Sequence, residues 1–77
     1  MNEFDRITFD PNIMGGRAII RGMRVTVSLI LNLVANGMSI EDILAAYPYL
    51  EAEDVRQALR YGAWLAEEQV DWLPTAS

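Results

Sequence analysis

Seventy-seven residues make one domain, and folding at this size hides only about 60% of the unfolded surface, so stability is marginal. The chain has no cysteine and no histidine, which excludes disulfides and thiolate or imidazole metal sites and leaves association to supplement the core of a chain that is 52% apolar. A net charge of −5 argues against a simple nucleic-acid binder. The charge is uneven, however. Arg6, Arg17, Arg21 and Arg24 share the first 24 positions with three acids, whereas two arginines face eight acids thereafter. The N-terminal Met-Asn-Glu-Phe-Asp-Arg run is acidic and lacks the apolar stretch of a signal peptide, so a cytoplasmic location is expected.

The first 26 residues read as extended pieces joined by turns. Arg6-Ile7-Thr8-Phe9 alternates β-branched and aromatic residues, as a short strand does. Asp10-Pro11-Asn12 ends it with turn chemistry, and Gly15-Gly16 permits positive φ. Arg17-Ala18-Ile19-Ile20-Arg21 is a second strand, Gly22-Met23 a turn or bulge, and Arg24-Val25-Thr26 a third extended piece. A lone hairpin is barely stable in water, so this head, residues 6–26, has to pack on helices or on another chain.

The body, residues 27–69, reads as three helices. Val27 to Asn36 is the central one, with Thr26 as N-cap and Gly37 after its last turn. It is apolar nearly all round, interrupted by Ser28, Asn32 and Asn36, so more than one side needs cover and a second chain is expected to help. At about ten residues it is half the length a bilayer span needs. Ser39 caps a second helix that starts with Glu41 and Asp42 and stops before Pro48. The third and longest helix runs from Leu50 to about Gln69, with Glu51, Glu53 and Asp54 at its positive end. Centred on Val55, its predicted inner arc holds Ala58, Leu59, Gly62, Ala63, Leu65, Ala66 and Val70. Gln57, Arg60, Tyr61, Trp64 and Glu68 lie opposite. Residues 70–77, including Trp72 and Leu73, form an apolar-tipped tail.

Catalysis is not expected, because histidine and cysteine are absent and Ser28, Ser39 and Ser77 are accounted for by a helix interior, a cap and a terminus. Adjacent acids such as Glu53 and Asp54 point about 100° apart on a helix and do not share a substrate. No metal ligand set and no cofactor motif stands out; Gly15-Gly16-Arg17 lacks the spacing and lysine of a P-loop. Three binding constellations remain. Arg17, Arg21 and Arg24 lie within eight residues on the head and could contact DNA phosphate or an acidic protein, or pair with the chain's own acids. Arg56 and Arg60 lie one turn apart on the third helix, where recognition competes with pairing to Glu53. Tyr61, Trp64, Trp72 and Leu73 are the kind of residues that anchor protein interfaces. The order of the helices is that of a three-helix helix-turn-helix-like domain (homeodomain-like or winged-helix-like) behind a short N-terminal β unit.

The stretch Gly16-Arg17-Ala18-Ile19-Ile20-Arg21-Gly22-Met23-Arg24-Val25-Thr26-Val27 resembles the Gly-Lys/Arg-Pro-x-Ile-x-Gly-Thr-Arg-Ile/Val-x-Val signature of domain-of-unknown-function family 433. Ala35-Asn36-Gly37-Met38-Ser39, Glu41-Asp42-Ile43-Leu44, Tyr47-Pro48 and Ala58-Leu59-Arg60-Tyr61 continue the pattern. Ala18 and Met23 depart from it, where proline and threonine are usual. The resemblance implies a small, dimeric helix-turn-helix-like antitoxin. Such a protein would neutralise a PIN-like ribonuclease toxin by direct contact and would repress its own operon as a dimer. A DNA-binding regulator without a toxin partner is the alternative.

Overall fold

A computed structural model describes residues 4–70, with side chains through Glu67. The elements run β1 (Ile7–Thr8), a 3-10 turn (Met14–Gly16), β2 (Ile19–Ile20), α1 (Val27–Ala35), α2 (Ile40–Ala46) and α3 (Ala52–Val70). The domain is mainly helical, three helices behind a two-stranded antiparallel sheet, as the sequence predicts. No helix among the described residues is long and apolar enough to cross a membrane.

The head is built as its turn residues dictate. β1 pairs with β2 in the register Ile7 with Ile20 and Thr8 with Ile19. Asp10 folds the chain back by accepting the Asn12 N–H at 2.8 Å. Ile20 to Met23 closes a tight turn, with Met23 N–H donating to the Ile20 carbonyl at 2.7 Å. Its two central residues, Arg21 (φ 45°) and Gly22 (φ 72°), are both left-handed, the signature of a type I′ hairpin turn. The third extended piece returns along β2, bridging Ile19 to Thr26, and runs straight into α1. Thr26 caps that helix by accepting the Leu29 N–H at 3.0 Å.

α1 ends at Asn36, and Gly37 takes φ 97° after it. Ser39 and Asp42 then make a reciprocal capping box that starts α2. Ile7, Ile20, Val25, Val27, Ile30, Ile43, Leu50, Val55 and Ala58 form one core joining head and helices. Around α1 the cover is incomplete: Val27 and Ile30 are buried, but Leu29, Leu31, Leu33 and Val34 are only half-buried. Where α1 crosses α3 the helices approach closely. A Cβ placed on Gly62 would lie 2.9 Å from Leu31 Cδ1.

α3 presents Val55, Ala58, Leu59 and Gly62 inward as predicted, but the predicted face does not continue beyond Gly62. Its buried side chains are Asp54, Val55, Gln57 and Ala58, whereas Ala63, Leu65 and Ala66 are exposed. Gln57 and Tyr61 were expected on the outer face. Gln57 is buried and Tyr61 half-buried, because the head lies against that side of the helix and apolar spacing within α3 carries no record of where the head packs. From Ala63 to Glu67 every residue is exposed.

Candidate functional site

The strongest electrostatic feature is a charge hub between head and α3. Asp54 is 0% exposed. Its Oδ1 accepts from Arg6 Nη1 (3.0 Å) and Arg21 Nε (3.0 Å), and its Oδ2 from Arg21 Nη2 (2.7 Å) and the Glu51 N–H (2.8 Å). Arg6 also bonds Glu51 Oε1 at 2.6 Å, and Arg21 reaches the Tyr49 carbonyl at 3.1 Å. Burial pushes the Asp54 carboxyl up, but bonds from Arg21, the Glu51 N–H and Arg6 outweigh it and hold the group below its usual value. Gln57 extends the hub, accepting from the Arg6 N–H at 2.9 Å and donating to Asp5 Oδ1 at 2.8 Å. No buried side-chain polar atom is unsatisfied among the described residues. The hub was missed in the sequence, where Asp54 read as a solvated dipole acid. The one available signal was that Asp54 sits four residues before Ala58, on the same side of the helix.

The three predicted head arginines part company here. Arg21 is engaged by Asp54. Arg17 and Arg24 are exposed and pair with no carboxylate among the described residues. Arg17 stands at the rim of an apolar groove of about 240 Å³ between head, α1 and α3, with Ala18, Val27, Leu31, Tyr61 and Leu65 along it.

The outer face of α3 brings together most of the predicted partner-binding residues. Arg56 Nε and Arg60 Nη2 both bond Glu53, at 3.2 and 2.9 Å. Hydrogen bonds from Gln57, Arg60 and Arg56, in that order, hold the Glu53 carboxyl below its usual value. Beyond Arg60 the rings of Phe4, Tyr61 and Trp64 pack on one another, with centroids 5.3 to 6.0 Å apart, and Phe9 lies 6.4 Å from Tyr61. Trp64 keeps 44% exposure. An open cavity of about 210 Å³ lies against Phe4, Arg60, Ala63, Trp64 and Glu67. Trp72 and Leu73, the other predicted anchors, lie outside the described residues.

This arrangement offers cations beside exposed aromatic rings, a chemistry of recognition. A family model described as "Protein of unknown function (DUF433)" matches residues 7–62. The chain belongs to the DUF433 family. The crystal structure of a DUF433 member protein from Anabaena variabilis ATCC 29413 has the same fold, with a TM-score of 0.73 at 34% identity over 87% of this chain and 65% of that one. The uncharacterized protein y4eO of Sinorhizobium fredii (strain NBRC 101917 / NGR234) is 44% identical over 55 residues, 71% of this chain. This DUF433 chain spans only 25% of that relative's length.

Proposed function

We propose that this DUF433 domain is an antitoxin-like binding protein that neutralises a PIN-like ribonuclease by direct contact and represses its own operon as a dimer. The observation that carries the reading is the outer face of α3, where Arg60 and the exposed Trp64 border one open cavity. An aromatic anchor beside an arginine is the pairing that concentrates energy in protein interfaces. A nuclease that works through clustered carboxylates and a divalent metal would present negative charge to Arg56 and Arg60. The half-buried leucines of α1 support the dimeric assembly.

The test is to sequence the neighbouring reading frames for a PIN-like ribonuclease and to co-purify this chain with it. The wild-type chain is expected to retain it. Replacing Arg60 and Trp64 together by alanine is expected to weaken capture at least about tenfold. Undiminished capture by that variant would place the contact elsewhere.

A second reading, a DNA-binding regulator without a toxin partner, is favoured by Arg17 and Arg24, which are exposed and pair with no carboxylate among the described residues. A dimer using both arginines would make four phosphate contacts. Its affinity for promoter DNA should then fall about a hundredfold between roughly 50 and 200 mM salt. Binding indifferent to salt, or to alanine at both arginines, would remove this reading.

A further inference from the structure

On α3, three donors converge on one carboxylate of their own helix. Arg56 Nε stands 3.2 Å from Glu53 Oε1. Arg60 Nη2 is 2.9 Å and Gln57 Nε2 3.3 Å from Glu53 Oε2. The donors differ in freedom. Gln57 is 5% exposed and fixed by its bonds to the Arg6 N–H and Asp5. The Arg56 and Arg60 side chains are 52% and 46% exposed. One prong is therefore set in the body of the domain, and two can move.

Helix spacing accounts for only part of this. Residues three or four apart are neighbours on a helix, so Glu53–Arg56 and Glu53–Gln57 are local pairs. Arg60 is seven residues from Glu53 and reaches back two turns to share a carboxylate that already has a cation. Its opposite neighbour is the open cavity beside Trp64. Arg60 thus sits between an internal acid and the surface assigned above to a partner.

We propose that Arg56, Gln57 and Arg60 form a carboxylate-binding fork for an acidic side chain of the protein partner, and that Glu53 fills this fork in the free chain and is displaced on binding. This rests on the reading of α3 as the partner-binding face and names how that face is regulated. Exchange is cheap, because exposed ion pairs contribute little in water. A partner that excludes water from the fork strengthens the Coulomb attraction of its carboxylate to the same arginines. Glu53 acts as an internal competitor that also keeps both guanidinium groups extended along the helix.

The experiment is calorimetric titration of the full chain with a PIN-like ribonuclease, its catalytic carboxylates intact. Glu53→Gln keeps the shape and can still accept from Gln57, but it releases the cations. It is expected to bind about three- to tenfold more tightly, with a steeper loss of affinity in salt. Arg60→Ala is expected to bind about tenfold more weakly, and the gain from Glu53→Gln should shrink in the Arg60→Ala background and vanish once Arg56 is alanine as well. Thermal melts establish that each variant is folded. If Glu53→Gln binds no better than wild type while Arg60→Ala still weakens binding, Glu53 is structural and the competitor role is overturned, although the partner face stands. If neither Arg60→Ala nor Trp64→Ala changes binding, the partner face falls and the fork falls with it.

Discussion

Asp54→Ala is expected to destabilise the domain by about 3 kcal/mol, because it removes a fully buried carboxylate at the centre of a satisfied network. The loss has three physical parts. The Glu51 N–H at the start of α3 loses its acceptor. Arg6 and Arg21 lose the anion that draws the head against α3. A void opens where the side chain stood. A melt should show the midpoint fall by roughly 12–24 °C for a domain of this size. A fall of only a few degrees would mean that the hub contributes no more than a surface ion pair. Removing Arg6 and Arg21 together should cost more than the two single changes summed, since only the second removal strips the buried carboxylate of its last cation.

The same hub fixes a direction of pH dependence. The folded-state value of Asp54 lies below its ordinary 3.8. A carboxyl depressed on folding contributes stability that is present above its unfolded value. That stability is lost as pH falls through the folded value. Denaturant midpoints followed from pH 7 downward should therefore hold near neutrality and drop once pH passes below about 4. In Asp54→Asn that acid limb should flatten, leaving the contribution of Glu53, which is depressed in the same direction.

Gly62→Val is the second substitution with a large expected cost, about 2 kcal/mol. The added Cβ would meet Leu31 Cδ1 at 2.9 Å and Cδ2 at 3.1 Å, and the two γ-methyls would force α1 and α3 apart. Gly62→Ala is the informative control. Its single methyl meets only the movable end of a leucine, and alanine gains about 1 kcal/mol over glycine in a helix interior. The two effects oppose, so Gly62→Ala should melt within a few degrees of wild type. Equal, large losses for both variants would show that Leu31 cannot yield.

Local chemistry in this chain was legible and long-range chemistry was not. Thr26, Asn36-Gly37 and Ser39 mark helix ends by hydrogen bonds that span three or four residues, and all of them form as expected. Arg56 and Arg60 found Glu53 on their own helix, one of the two outcomes weighed for them. Asp54 was misread because its cations stand 48 and 33 residues away in the chain, and no spacing rule connects them. The inner face of α3 was placed correctly at Val55, Ala58, Leu59 and Gly62, but its flank and its continuation past Gly62 were not, for the same reason. A helical wheel ranks positions by their own polarity, whereas a head folded against one flank buried Gln57, half-buried Tyr61 and left Ala63 and Ala66 in water. The aromatic face was half legible: Trp64 is exposed as predicted, but Phe4 and Phe9, which complete it, came from the far end of the sequence.

The left-handed backbone of Arg21 carries a consequence for the order of events on the ribosome. Arginine is a poor occupant of that conformation, and its guanidinium is gripped by a residue synthesised 33 positions later. The bend at Arg21 is therefore synthesised before the group that holds it exists. It has to stay pliable until α3 arrives, so the nascent chain closes late and all at once, through contacts between its two ends.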